Sequence, residues 1–218
     1  MFSFALSAIA LPLLIYSTNF APVAADILFK TGSNYDSLGA WDQSIAAYGK
    51  ARDLQPAQDY YALFMGRAYL EKARATTDAN QRAGFLKQSE QVLRQAQQLN
   101  PLNTDHSANL ARLQRIWATL VTNASEQAAH QQQSASFYAA ATRLSPHTAY
   151  LRNEWSQTYS QSGDWANMRA QLEQSLQIDP QYAQTYFLLG EYYRAQNDAA
   201  HAADQYLIAL SLDPYALS

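Results

Sequence analysis

The chain contains no cysteine. Neither a disulfide framework nor a thiolate metal site can hold it together, and the absence suits either side of a membrane. Only seven of its 218 residues are glycine. No phosphate-cradling glycine loop and no G-x-S-x-G nucleophile elbow occurs among them. Charge is scarce as well: Lys, Arg, Asp and Glu make up 15% of the chain and the net charge is −3. That balance leaves no basic stripe of the kind nucleic-acid binding requires. Apolar residues fill 48% of the composition instead, as a helix-rich, well-buried structure would.

The scarcity of charge is uneven. Residues 1–25, MFSFALSAIALPLLIYSTNFAPVAA, carry no charged side chain, and the first basic residue is Lys30. Three explanations stand open. A membrane helix from Phe2 to Phe20 has about the necessary length but must tolerate Pro12 and several hydroxyl side chains. A signal peptide would end at VAA before Asp26, yet it lacks a basic start. A buried capping helix is the third. The preferred expectation is an apolar N-terminal helix that anchors the chain in a membrane through residues 1–25, with residues 26–218 displayed outside the cytoplasm.

Against this background five prolines stand out. Pro56, Pro101, Pro146, Pro180 and Pro214 close the similar stretches ARDLQP, AQQLNP, ATRLSP, SLQIDP and ALSLDP. The first two intervals are 45 residues and the last two are 34. A period of this length marks stacked helical hairpins. In the final unit, Tyr186, Leu189, Gly190 and Tyr193 share one face of a first helix by their three- and four-residue spacing. Ala202, Tyr206 and Ala209 share a face of a second, with Asp198 placed to cap it. Small residues at Gly190 and Ala202 let two helix backbones approach, and Pro214 stops the winding.

These residues resemble the tetratricopeptide repeat, W-x2-L-G-x2-Y, then A-x3-F-x2-A, then P. The resemblance implies an all-α, right-handed solenoid of about five hairpins, bounded as 26–56, 57–101, 102–146, 147–180 and 181–218. Earlier units depart from the pattern, with Gln114 where a tyrosine is expected and Met168 where a small residue is usual. Wider spacing is expected there. Units two and three each carry 11 extra residues between their paired helices, within ARATTDANQRAGF and TLVTNASEQAAHQQQ. Eleven residues are about three helical turns, so both helices of these hairpins are expected to be longer.

The apolar opening, Met65–Ala73 and Gln98–Leu113 together resemble a narrower group, the C-terminal repeat region of bacterial O-antigen ligase and polymerase-like membrane proteins. That likeness implies a place beside polysaccharide assembly, without the membrane-helix bundle where glycosyl transfer takes place. No catalytic residue carries over from it.

Chemistry is hard to find in the residues themselves. His106, His130, His147 and His201 are dispersed, with no metal-ligand spacing. Asp105–His106 is the only neighbouring His–carboxylate pair, and Asn103, Thr104 or Asp105 reads better as a helix cap. No cofactor, no metal and no enzymatic activity are expected. Function falls to the first-helix faces that line the concave side of such arrays. By repeat register these are Tyr60, Phe64 and Arg67, then Asn109, Arg112 and Arg115, then Tyr150, Asn153 and Gln157, then Glu191 and Arg194. The three arginines Arg67, Arg112 and Arg115, with tyrosines nearby, suit an acidic or extended polar ligand. Only Asn109 fits the Lys and Asn pattern of repeats that clamp a C-terminal carboxylate. Ile208, Leu210 and Leu212 on the last helix are expected to meet another chain. The expectation is a non-catalytic, membrane-tethered scaffold for a protein or peptide partner. The alternatives are an accessory of polysaccharide assembly and a structural subunit of a membrane complex.

Overall fold

The computed structural model describes Leu14 and residues 16–216. Among the described residues there are ten α-helices and no strand. A single π turn, Tyr16–Phe20, leads into α1, Ala21–Ser37. There follow α2 Trp41–Leu54, α3 Asp59–Ala75, α4 Ala79–Leu99 and α5 Thr104–Leu120. The rest are α6 Ala124–Leu144, α7 Ala149–Ser162, α8 Trp165–Ile178, α9 Ala183–Ala195 and α10 Ala199–Leu212. Consecutive helices pair as five hairpins. The chain divides into two compact units, residues 1–101 with α1–α4 and residues 102–218 with α5–α10.

The prolines act where the sequence places them. Each lies two residues beyond a second helix, after Leu54, Leu99, Leu144, Ile178 and Leu212. One residue earlier, each helix closes with a backbone N–H bonded to the carbonyl of Ala51, Ala96, Ala141, Ser175 or Ala209. Proline then prevents another turn, having no N–H to give and clashing with the preceding turn.

Hairpin turns come in two kinds. In the three short-turn hairpins one residue at the same register takes a left-handed conformation: Gly39 at φ +66°, Gly163 at +72° and Asn197 at +60°. Hairpins two and three turn instead through Thr76–Asp78 and Val121–Asn123, where Asp78 and Asn123 cap the second helix with their side chains. Their helices are longer, 17 and 21 residues in both hairpins against 14 and 14 for α7 and α8. The extra residues are helix.

In hairpins one, two and five, a glycine on the first helix receives a large side chain from the second. A β-carbon on Gly32 would stand 2.6 Å from the Tyr48 ring, one on Gly66 2.6 Å from Leu93, and one on Gly190 2.3 Å from the Tyr206 ring. Tyr48 and Tyr206 therefore fill space inside their own hairpins. Their hydroxyls reach carboxylates on the facing helix, Tyr48 to Asp36 at 2.6 Å and Tyr206 to Glu191 at 2.5 Å. At the position of the missing tyrosine in hairpin three, Gln114 is fully buried and bonds the His130 ring at 2.6 Å. That ring stacks on Trp117.

One expected boundary moves. α1 begins at Ala21, five residues before residue 26, with Pro22 in its first turn. Ala21 and Ala25 are buried, and Ala25 packs against Ala51 and Tyr61. The last residues of the uncharged segment thus belong to the first hairpin, because absence of charge marks burial as readily as membrane. No helix among the described residues is long and apolar enough to cross a membrane. The expected span starts at Phe2, and residues 1–13 lie outside the described ones.

Candidate functional site

In the first unit, Tyr60 and Phe64 of α3 turn toward α1. Phe29 of α1 meets both rings edge-on, with centroids at 5.0 and 4.9 Å, and lies 5.6 Å from Tyr48. The two residues are packing in this aromatic cluster. Arg67 is exposed and lays its guanidinium over Phe64 at 5.0 Å.

In the second unit the first helices of successive hairpins touch, α5 with α7 and α7 with α9. Across the first of these contacts Arg112 forks onto Glu154. Its Nε is 2.9 Å from both carboxylate oxygens and a terminal nitrogen is 2.9 Å from one of them. Burial opposes the Arg112 charge, but the bonds and charge of Glu154 outweigh it and raise the guanidinium pKa. Tyr138 donates toward the same carboxylate at 3.4 Å. Arg115 has a buried Nε with no acceptor among the described residues.

The two asparagines are inside the protein. Asn109 donates to the Asp105 carbonyl one turn back. Asn153 is 2% exposed and exchanges hydrogen bonds with Thr185, which also meets Ser175. Glu191 and Arg194 pair with each other on α9, and Tyr206 bonds the same carboxylate.

Tyr150 and Gln157 of α7 reach open space. With Asn153 and Glu154 they form one wall of a cleft of about 620 Å³, bounded on the other side by Tyr182, Gln184, Leu212 and Asp213. Burial raises the pKa of both tyrosines, so their phenols remain donors at neutral pH. The cleft therefore joins phenols, carboxamides and two carboxylates. Neither lysine nor arginine lines it, and Arg112 is held by the lining residue Glu154. Glu154, Tyr182 and Asp213 were not among the residues expected from sequence, yet Glu154 was within reach of the register: it stands 45 residues after Asn109.

Among the described residues no three metal-ligating side chains come together. Asn103, Asn123 and Asp198 spend their side chains as helix caps.

The Glu191 carboxyl is held below its ordinary value, first by the Arg194 hydrogen bond and also by the Tyr206 hydroxyl. A depressed carboxyl stabilises the fold above its unfolded-state value, about 4.3, and loses that contribution as pH falls through the folded-state value. Acidification from neutral pH to below 4 is therefore expected to lower the urea midpoint more for the native chain than for Glu191→Gln. Equal losses would remove Glu191 from the acid response.

No protein-family model and no curated protein matches the sequence. Solved structures do. The chain is similar to TTC0263, a thermophilic TPR protein of Thermus thermophilus, at 18% identity and a TM-score of 0.69, over 88% of this chain and 92% of that one. It is similar to MamA at 16% identity and a TM-score of 0.61, over 88% and 92%. It is also similar to YrrB, described as a TPR protein with an unusual peptide-binding site, at 14% identity and a TM-score of 0.56, over 93% and 92%. The fold is that of TPR proteins.

Proposed function

We propose that the chain is a non-catalytic scaffold that holds an extended polar peptide segment of a protein partner in the α7–α9 cleft. One observation carries the reading: Tyr150, Gln157, Tyr182 and Gln184 open onto a single cleft of about 620 Å³. Phenols and carboxamides supply donors and acceptors together, which an extended backbone with alternating N–H and C=O groups requires. The pairing of Arg112 with Glu154 removes the cation that an acidic ligand would seek, so the favoured segment is polar and uncharged. The peptide site ascribed to YrrB supports the same use of the fold.

The uncharged run before α1, residues 1–20, supports display of this scaffold at a membrane surface. A random peptide library panned on the full chain is expected to yield binders that Tyr150→Ala/Gln157→Ala loses by tenfold or more, about 1.4 kcal/mol. Binders held equally by that variant, or none, would sink the cleft. Capture of glycan-assembly enzymes from solubilised membranes by the same cleft would redirect the reading to polysaccharide assembly.

A further inference from the structure

We infer that the peptide held in the α7–α9 cleft carries an aspartate or glutamate beyond its uncharged stretch, and that Arg152 receives this side chain in a pocket farther along the same groove. The inference rests on the peptide reading of the cleft and adds what the segment carries outside it. Tyr150 and Tyr182 line not only the cleft but a second cavity of about 460 Å³, set between the turns that lead into α7 and α9. His147 and Ile178 of that cavity also line a third, of about 480 Å³, which Arg152, Gln174 and Gln177 help to enclose. Shared walls join the three into one groove within the second unit.

Charge changes sign along this groove. Glu154 and Asp213 line the cleft. Asp179 lines the middle cavity, where its carboxylate accepts from the Gln181 N–H at 2.9 Å. Arg152 is the one lysine or arginine among the described residues on the three walls. An acidic side chain would be repelled at the first two stations and attracted at the third, which fixes where the acid sits.

Arg152 has no acid of its own among the described residues. A terminal nitrogen donates to the Gln171 carboxamide at 3.0 Å, and the guanidinium lies 5.7 Å from the Trp155 ring. Arg112, Arg169 and Arg194 of the same unit each pair with a glutamate instead. Burial lowers the Arg152 pKa and no neighbouring carboxylate raises it. The repeat does not ask for an arginine here either: Leu28, Ala62, Ser107 and Tyr186 stand at this register in the other four hairpins. The guanidinium keeps further N–H donors for a carboxylate, and Gln174 and Gln177 bring carboxamide donors beside it. Pro146 and Ile178 give the methylenes of an acidic side chain an apolar wall.

The test takes peptides panned on the full chain and resynthesises them with acetylated and amidated ends, so that any carboxylate belongs to a side chain. Binders are expected to carry an aspartate or glutamate on one side of their uncharged stretch. Arg152→Gln should weaken such a peptide by about fivefold or more. Changing the peptide's acid to its amide should weaken it equally, and both changes together should cost no more than either alone. The amide form should bind Arg152→Gln and the native chain alike, with the same helical circular dichroism. Additive losses, or an acid preference that survives Arg152→Gln, would overturn the inference and leave the cleft standing, provided Tyr150→Ala/Gln157→Ala still releases both peptide forms. Binders indifferent to Tyr150→Ala/Gln157→Ala would sink the cleft and this inference together.

Discussion

Replacing Gly32 by alanine is expected to destabilise the first hairpin, although alanine is the better helix former. The added carbon would lie 2.6, 2.8 and 3.0 Å from three atoms of the Tyr48 ring. That ring is fully buried and has nowhere to retreat. Its hydroxyl is fixed to Asp36, which also accepts from Ser44, and Phe29 and Phe64 close its other sides. Overpacking of this kind costs about 1–3 kcal/mol, while helix preference returns about 1 kcal/mol. A net loss of up to about 2 kcal/mol is therefore expected. Gly84→Ala supplies the opposite sign: this glycine sits in α4 with no atom within 4 Å of an added β-carbon. It should gain about 0.5–1 kcal/mol. Urea midpoints of the two variants decide the matter. A Gly32→Ala chain as stable as the parent would mean that the ring does not limit the approach of α1 and α2.

The same small-against-large pairing explains how much of the fold was legible. Five hairpins could be read because glycine or a small residue, a large partner and a closing proline recur at fixed offsets. The extra 11 residues in hairpin three could be read as helix from Leu110, Leu113, Trp117 and Leu120, which keep helical spacing. The start of α1 could not. Charge begins at Asp26, whereas Ala21 and Ala25 are uncharged because they are buried in the first hairpin.

At the site, all three residues expected on α7, Tyr150, Asn153 and Gln157, line the cleft, although Asn153 is 2% exposed and gives its amide to Thr185. Glu154 lines it as well, and carrying Asn109 forward by 45 residues reaches it. Tyr60 and Phe64 stand on α3, the first helix of their hairpin. Sequence could not show that Phe29, from another helix, would cover them.

The Arg112–Glu154 pair carries the second large expectation. Its side chains are 27% and 25% exposed, and the fork joins α5 to α7 beneath the cleft. Removing one partner strands the other in a partly desolvated place, so Arg112→Ala is expected to cost about 2–3 kcal/mol, somewhat less than for a fully buried pair. Arg112→Met with Glu154→Leu should cost less than the two single changes summed, since both desolvation penalties vanish together. Arg169–Glu173, one turn apart on α8 and half-exposed at both ends, is the control. Arg169→Ala should move stability by no more than about 0.5 kcal/mol. Additive costs at Arg112 and Glu154 would mean that the fork holds nothing between α5 and α7. Coupled costs would tie the rigidity of the cleft wall to the same bond that neutralises its cation. Glu154→Gln would then weaken that wall and free the guanidinium at once, shifting the panned peptides toward acidic sequences.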